Sequence, residues 1–188
     1  MTTQHVPRFV LTQRLTMMVN RYDVLEAAAD GSTGRLLATA QQKRLAFKEQ
    51  VTFYSDADRG TPVFGFKARQ RLDLGAGYDV TDATGQQVGF FRKDFAQSLL
   101  RTTFHLEGEG VRATGQERSL PIALVRRVVD VPLPFHFDFR DEATGAVVLS
   151  STKKFALRDR YLVDVPDPRV DFRLAAAIAV ALDALLAR

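Results

Sequence analysis

Apolar and polar positions alternate along most of the chain between residues 20 and 165. Short segments rich in Val, Phe, Tyr, Thr and Leu are separated by breaks that combine Gly with Asp. A period of two gives each segment one buried face, and Gly and Asp are the residues that tight turns favour. The pattern therefore predicts β-strands that are joined by hairpins.

Four stretches share one scheme, in which a strand meets an acidic turn with glycine and a second strand returns. They are Tyr22–Ala40, Val51–Arg69, Tyr78–Lys93 and Phe137–Lys154. The stretch Phe104–Pro132 also alternates, with breaks at Gly108, Gly110 and Gly115, and predicts further strands. Because no linker or shift of composition divides the chain, residues 1–188 are predicted to form a single domain.

The C-terminal stretch has a different pattern, because all nine positions of Leu174–Leu182 are apolar. Asp167 as cap and Pro168 at the first helical position predict a helix over about 168–187. A helix that is apolar all round either crosses a membrane or lies in a core, and a span needs about 20 apolar residues. This run is too short, since Asp183 ends it.

The alanine-rich helix is slim enough to thread a barrel, and closure into a barrel removes the exposed edges of a large sheet. The predicted fold is therefore mainly β, a closed antiparallel β-barrel around a buried hydrophobic C-terminal α-helix. A membrane role for the helix and docking of the helix in a partner's groove remain as alternatives.

The end of the chain, KKFALRDRYLVDVPDPRVDFRLAAAIAVALDAL, resembles the closing signature of the LURP-one-related family. The positions that carry the resemblance are Val163, Val165, Pro166, Pro168, Asp171, Phe172, Leu182 and Asp183. The hairpin YDVTDATGQQVGFFRK is similar to the repeated element of that family. The family belongs with phospholipid scramblases and the Tubby C-terminal domain. The resemblance implies a barrel of about twelve strands around a central helix, a link to membranes through lipid headgroups, and no enzymatic activity.

Composition adds limits on partners and on location. The chain has 26 Lys and Arg against 22 Asp and Glu, a net charge of +4 that is too small for a dedicated nucleic-acid binder. It contains no cysteine, which excludes disulfides and thiolate chemistry and fits a reducing compartment. The N-terminal residues MTTQHVPRFVLTQRL lack the apolar run of a secretion signal. A cytoplasmic location is therefore expected, with no transmembrane segment.

No motif for catalysis, for a cofactor or for a metal stands out. Asp56–Gly60, DADRG, has acids at the first and third positions of a calcium loop, but Thr61 and Lys67 stand where Gly and Glu are required. His136 and Asp138 would share one face of a strand, although two ligands do not complete a metal site. The expectation is a protein without enzymatic activity, cofactor or metal.

Basic residues form the one pattern that indicates a function and not only a fold. Most of them follow the return strand of a predicted hairpin. The candidate residues are Lys43, Arg44, Lys67, Arg69, Arg92, Lys93, Arg126, Arg127, Lys153 and Lys154. In an up-and-down barrel these strand exits gather at one end, and the acidic turns gather at the other. A basic end of this kind predicts binding of lipid phosphates. The alternative interpretation is that these charges only keep the strand ends soluble.

The leading hypothesis is a non-enzymatic barrel that binds anionic phospholipid or phosphoinositide headgroups peripherally, at the inner membrane surface. A protein-interaction scaffold is the second hypothesis, and an exposed apolar patch would favour it. A phospholipid scramblase is the third, and it would require the helix to leave the barrel.

Overall fold

The computed structural model describes residues 3–15, 19–28, 30, 32–43, 50–70, 75, 77–94, 102–118, 136–154 and 160–186. The first six strands are β1 (Arg8–Leu15), β2 (Val19–Ala27), β3 (Thr33–Lys43), β4 (Gln50–Tyr54), β5 (Pro62–Ala68) and β6 (Tyr78–Asp82). The other six are β7 (Gln87–Asp94), β8 (Thr103–Gly108), β9 (Val111–Glu117), β10 (His136–Asp141), β11 (Val147–Lys154) and β12 (Arg160–Asp164). One helix follows, α1 (Phe172–Leu186).

Each strand pairs antiparallel with the next strand along the chain, and β12 pairs with β1. The sheet is therefore a closed barrel, as the alternating pattern and the family resemblance predicted. The four predicted hairpins are β2–β3, β4–β5, β6–β7 and β10–β11. The stretch Phe104–Pro132 contributes a fifth hairpin, β8–β9, and its part from residue 119 onward lies outside the described residues.

The meander gives the barrel two different ends. The end at which β2, β4, β6, β8 and β10 finish is called the turn end, and its turns include Asp56, Asp82 and Asp141. We call the exit end the opposite one, where β1, β3, β5, β7, β9 and β11 finish. The chain passes from β12 across the turn end, and α1 then runs down the inside of the barrel toward the exit end.

The helix fills the core of the barrel. Every side chain of Leu174–Leu182 is at most 1% exposed and belongs to one cluster with the inward side chains of the strands. Two glycines let the helix approach the wall, because a Cβ at Gly89 would lie 2.7 Å from Leu174 Cδ2 and one at Gly108 would lie 3.2 Å away. Burial in the protein core, rather than in a membrane or in a partner, is thus the role of the apolar run.

The predicted start of the helix was wrong, because α1 begins at Phe172 and Asp171 precedes it as cap. The Oδ1 atom of Asp171 accepts a hydrogen bond from the Arg173 amide at 2.8 Å, and the Ala175 amide donates to the Asp171 carbonyl at 3.0 Å. Asp167 instead closes the preceding turn by accepting the Arg169 amide at 2.9 Å. The chain needs this turn in order to pass from the barrel wall to the barrel axis.

Ion pairs close the turn end over the start of the helix. Arg169 binds Asp141 at 2.8 Å and donates to the Gly110 carbonyl at 2.8 Å, which ties the turn before α1 to two hairpins. Arg173 binds Asp171 at 2.8 Å, and its guanidinium lies 4.0 Å from Asp82. At the turn end, Arg169 and Arg173 are therefore matched by carboxylate partners.

Candidate functional site at the exit end of the barrel

Four of the predicted basic residues are exposed at or near the exit end, namely Lys67, Arg69, Arg92 and Lys154. Lys67 lies between the inward residues Phe66 and Ala68 of β5, and so points outward. Arg92 follows the inward Phe91 of β7 and is exposed. Lys154 is the exposed last residue of β11. Solvent, or a surface brought up to the exit end, can contact these three side chains and that of Arg69.

Strand alternation separates the members of two predicted pairs. Lys93 shares the inward face of β7 with Phe91 and is half-buried, whereas Arg92 points outward. Lys153 is also half-buried, and its Nζ atom lies 5.4 Å from the ring centroid of the inward Tyr161. Neighbouring residues of a strand face opposite sides, so a basic pair in the sequence delivers one cation to each side of the wall.

Arg69 is held against the outer wall by a carboxylate and a ring. Its Nη2 and Nε atoms donate to Asp79 at 2.8 and 3.0 Å, and its guanidinium lies 3.9 Å from the ring centroid of Phe90. The hydrogen bonds to Asp79 raise the pKa of Arg69. Because Asp79 neutralises it, Arg69 contributes less positive charge to the exit end than Lys67 or Arg92.

The remaining predicted residues are Lys43, Arg44, Arg126 and Arg127. Lys43 is the last residue of β3, so its backbone reaches the exit end. Arg44, Arg126 and Arg127 lie outside the described residues.

Three cations at the exit end were missed by the sequence reading, namely Arg14, Arg21 and Arg160. They lie on β1, β2 and β12, next to the inward residues Gln13, Tyr22 and Tyr161, and so face outward. None of them belongs to a pair of adjacent Lys or Arg residues in the sequence. Only strand order brings them together, so no short motif could have identified them.

The inside of the exit end contains buried polar side chains. Asp183 of α1 is 1% exposed and accepts hydrogen bonds from the hydroxyl groups of Tyr22, at 2.9 Å, and of Tyr161. Gln13 Nε2 donates to the Tyr22 hydroxyl at 3.4 Å. On β6, burial raises the pKa of the wall residue Tyr78. The hydrogen bonds to Asp183 anchor the end of the helix to β2 and β12.

The residues that could have suggested a metal site have other partners. The Oδ1 atom of Asp56 accepts the Gly60 amide at 3.0 Å, so DADRG is a hairpin turn. Both carboxylate oxygens of Asp138 accept from Arg118, at 2.8 and 2.9 Å. Across the part of the chain that the structure describes, no cluster of three or more Asp, Glu, His or Cys is arranged to hold a metal ion.

Two surface grooves lie on the outer wall rather than beside the helix. One of about 470 Å³ is lined by Arg69, Phe90 and Glu107, among others. The other, of about 440 Å³, lies between Ala27 and Pro166. Both are open to solvent, and neither is lined by Lys67, Arg92 or Lys154.

Comparison with known proteins identifies a family. A model of the LURP-one-related family matches residues 36–183, which is most of the chain. No curated protein matches the chain. A solved structure that aligns with it, a porin-like protein from Bacteroides uniformis, covers 87% of this chain and 98% of its own, with 9% identity and a TM-score of 0.23. A TM-score this low does not indicate a shared fold or function. Among the described residues no helix has the length and apolar character that a membrane crossing requires.

Proposed function

Since this chain belongs to the LURP-one-related family, we propose that it is a non-enzymatic barrel that binds anionic phospholipid or phosphoinositide headgroups through its exit end. Binding is peripheral, at the inner surface of the membrane, and the helix stays inside the barrel. The resemblance of the family to Tubby domains, which bind phosphoinositides, supports the choice of ligand.

One observation carries the proposal, namely the unequal distribution of charge between the two ends. Lys67, Arg92 and Lys154 are exposed toward the exit end, on strands that are spread around the barrel. The hairpin acids lie at the opposite end, where Asp82 and Asp141 also face Arg173 and Arg169. A net charge of only +4 therefore coexists with a positive end that can face an anionic surface.

The expected strength of this interaction follows from the number of cations that reach the surface. Each Lys or Arg near an anionic leaflet contributes about 1 kcal/mol, so a few of them give reversible attachment. Mobile ions screen this attraction, with a Debye length of about 8 Å at physiological ionic strength. Binding should therefore weaken as salt is raised.

Co-sedimentation with vesicles tests the proposal. Wild-type protein should sediment with vesicles that contain phosphatidylserine or a phosphoinositide, remain in solution with phosphatidylcholine alone, and be released by high salt. The triple variant Lys67→Gln, Arg92→Gln, Lys154→Gln should bind on the order of 100-fold more weakly. The control Arg35→Gln, Arg112→Gln, Arg140→Gln removes the same charge from exposed positions nearer the turn end and should bind like wild type. Equal binding to neutral and anionic vesicles, or loss in the control alone, would refute the proposal.

A second candidate function, docking of a protein partner, is favoured by an apolar row on the outer wall. Leu162, Val10 and Leu25 are paired across β12, β1 and β2 and lie outside the core cluster; Val10 is buried at 1% exposure, and Leu25 and Leu162 are half-buried. A partner that uses this row would be lost when Leu25 and Leu162 are changed to Ser, while vesicle binding would persist. The two functions are therefore separable by these variants.

A further inference from the structure

His105 lies on the outer wall of the barrel, beside one of the exposed cations of the exit end. It is the third residue of β8, and its neighbours Phe104 and Leu106 belong to the core, so its ring points outward. Its side chain is 18% exposed. The register places it directly opposite Arg92 of β7, which corresponds to Cβ atoms about 4.5–5.5 Å apart. The charge of His105 therefore acts on the proposed binding surface from a neighbouring strand.

Both ring nitrogens of His105 face oxygen atoms. Nε2 lies 3.2 Å from Oδ2 of Asp94, the last residue of β7. Nδ1 lies 3.2 Å from the Thr114 hydroxyl oxygen on β9 and 3.8 Å from Oε1 of Glu142, in the turn after β10. The Thr114 hydroxyl donates its own proton to Glu142 at 2.8 Å. The ring therefore belongs to a hydrogen-bonded row that runs from β7 to the β10–β11 hairpin.

The protonated ring satisfies the whole row at once. An ionised carboxylate only accepts hydrogen bonds, so the bond to Asp94 needs a proton on Nε2. The Thr114 hydroxyl has one proton, and while Glu142 accepts it the hydroxyl oxygen can only accept from Nδ1. A ring without a proton on Nδ1 needs the Thr114 hydroxyl to turn away from Glu142 and donate to Nδ1. The row thus has two arrangements, and one proton selects between them.

Charged side chains of both signs surround the ring. Within the described residues they are Arg92 and Asp94 on β7, Glu107 on β8, Arg112 on β9, Arg140 on β10 and Glu142 in the turn after β10. Asp94 and Glu142 attract a protonated ring at 3.2 and 3.8 Å, whereas Arg92 repels it. With the ring neutral, the two acids oppose the attraction between Arg92 and an anionic surface. Protonation of His105 offsets part of that opposition.

We propose that His105 makes headgroup binding by the exit end depend on pH, because the protonated ring adds positive charge beside Arg92 and the neutral ring does not. This inference rests on the proposed function and concerns its regulation. Histidine is the side chain that ordinarily changes its charge between about pH 5 and 8. One further positive charge near an anionic leaflet should raise the affinity by about 5-fold. Attachment is therefore stronger in mildly acidic conditions.

The chain has three histidines, and the other two have different surroundings. His136 is exposed at the start of β10, also at the exit end, and its Nδ1 lies 3.0 Å from the Thr152 hydroxyl oxygen. His5 is exposed ahead of β1, at the turn end, and its Nε2 donates to the Val165 carbonyl at 2.9 Å. The partners of these two rings are a hydroxyl and a carbonyl and not carboxylates, so His5 and His136 serve as matched comparisons for His105.

The test measures co-sedimentation with phosphatidylglycerol vesicles at about pH 7.5 and about pH 5.5, because the charge of that phosphodiester does not change in this range. Wild type should bind about 5-fold more tightly at the lower pH. His105→Gln should show no such rise, whereas His5→Gln should keep it and His136→Gln should keep most of it. His105→Arg carries a permanent charge at the same place, so at the higher pH it should bind as wild type does at the lower pH.

Other outcomes overturn the inference and leave the proposed function distinguishable from it. If His105→Gln shows the same rise as wild type, or if His136→Gln alone loses it, His105 is not responsible and the inference fails while the proposed function stands. Equal binding of wild type at both pH values has the same meaning. If wild type binds no anionic vesicle at either pH, both proposals fail. The Tm shows whether each variant is folded, and if His105→Gln does not fold, a rise that persists in His105→Arg refutes the inference.

Discussion

The hydroxyl group of Tyr161 donates a hydrogen bond to the carboxylate of Asp183, which joins the wall of the barrel to the last turns of the helix. Tyr22 donates to the second oxygen of the same carboxylate at 2.9 Å. Tyr161 and Tyr22 lie on β12 and β2, the strands on either side of β1. The carboxylate therefore fixes the helix against the seam where the barrel closes.

Removal of this carboxylate should destabilise the fold. Asp183→Ala leaves two buried hydroxyl donors without their acceptor, which corresponds to about 2–5 kcal/mol of unfolding free energy. Tyr161→Phe removes one donor and should cost about 2 kcal/mol. Urea unfolding of the two single variants and the double variant measures the coupling, and the exposed Asp58→Ala serves as control. Additive effects of Asp183→Ala and Tyr161→Phe would contradict a direct interaction.

The hairpins and the buried helix could be predicted from the sequence, because period-two alternation, Asp and Gly turns and an apolar run are local signals. The start of α1 could not be predicted as well, because Asp167 and Asp171 each accept a hydrogen bond from the backbone amide two residues later. Asp171 also accepts from the amide of Gln4, at the other end of the chain, and a local pattern does not contain this contact.

The candidate site was predictable only in part. Alternation alone would place Arg92 outward and Lys93 inward, so the pairs could have been divided between the two sides of the wall. The meeting of Arg14 with Arg21, and of both with Arg160, depends on strand register and on the closing pair β1–β12. Register is a property of the whole sheet, which a local reading of the sequence does not contain.

The core position of the helix predicts a strong response to charge. Ile178 is fully buried at the centre of α1, and an aspartate there would have no partner for its charge. Ile178→Asp should therefore abolish soluble expression of folded protein, whereas Ile178→Val should cost about 1 kcal/mol. Circular dichroism and gel filtration check both variants. A normally folded Ile178→Asp protein would contradict the burial of the helix.

A close contact between strands β9 and β10 predicts a steric effect. A Cβ at Gly115 would overlap the ring of Phe139, which lies directly opposite on β10. Gly115→Ala should therefore destabilise the barrel by about 1–3 kcal/mol through overpacking. Phe139→Leu makes room for the added methyl group, so the double variant should lose less stability than the sum of the two single changes. Gly34→Ala is the matched control, because its nearest atom would be 3.7 Å away. Thermal unfolding decides, and an equal loss for Gly34→Ala, which has room for the methyl group, would contradict the steric explanation.

The acidic hairpin turns predict a dependence of stability on pH. Hydrogen bonds from the Thr84 hydroxyl, and then from the amides of Gln86 and Thr84, hold the pKa of Asp82 below its ordinary value of 3.8. A carboxylate whose pKa is lower in the folded state stabilises the fold above its unfolded pKa, and this contribution is lost as the pH falls through the folded pKa.

The variant Asp82→Asn isolates this contribution, because it keeps the turn geometry and removes the titrating group. The difference in unfolding free energy between wild type and variant should stay constant from about pH 7 to about pH 5 and shrink as the pH falls below 3.8. Urea unfolding at a series of pH values measures it, and Asp58→Asn in a neighbouring turn is the control. A difference that is independent of pH down to acid unfolding would show that protonation of Asp82 is not linked to stability.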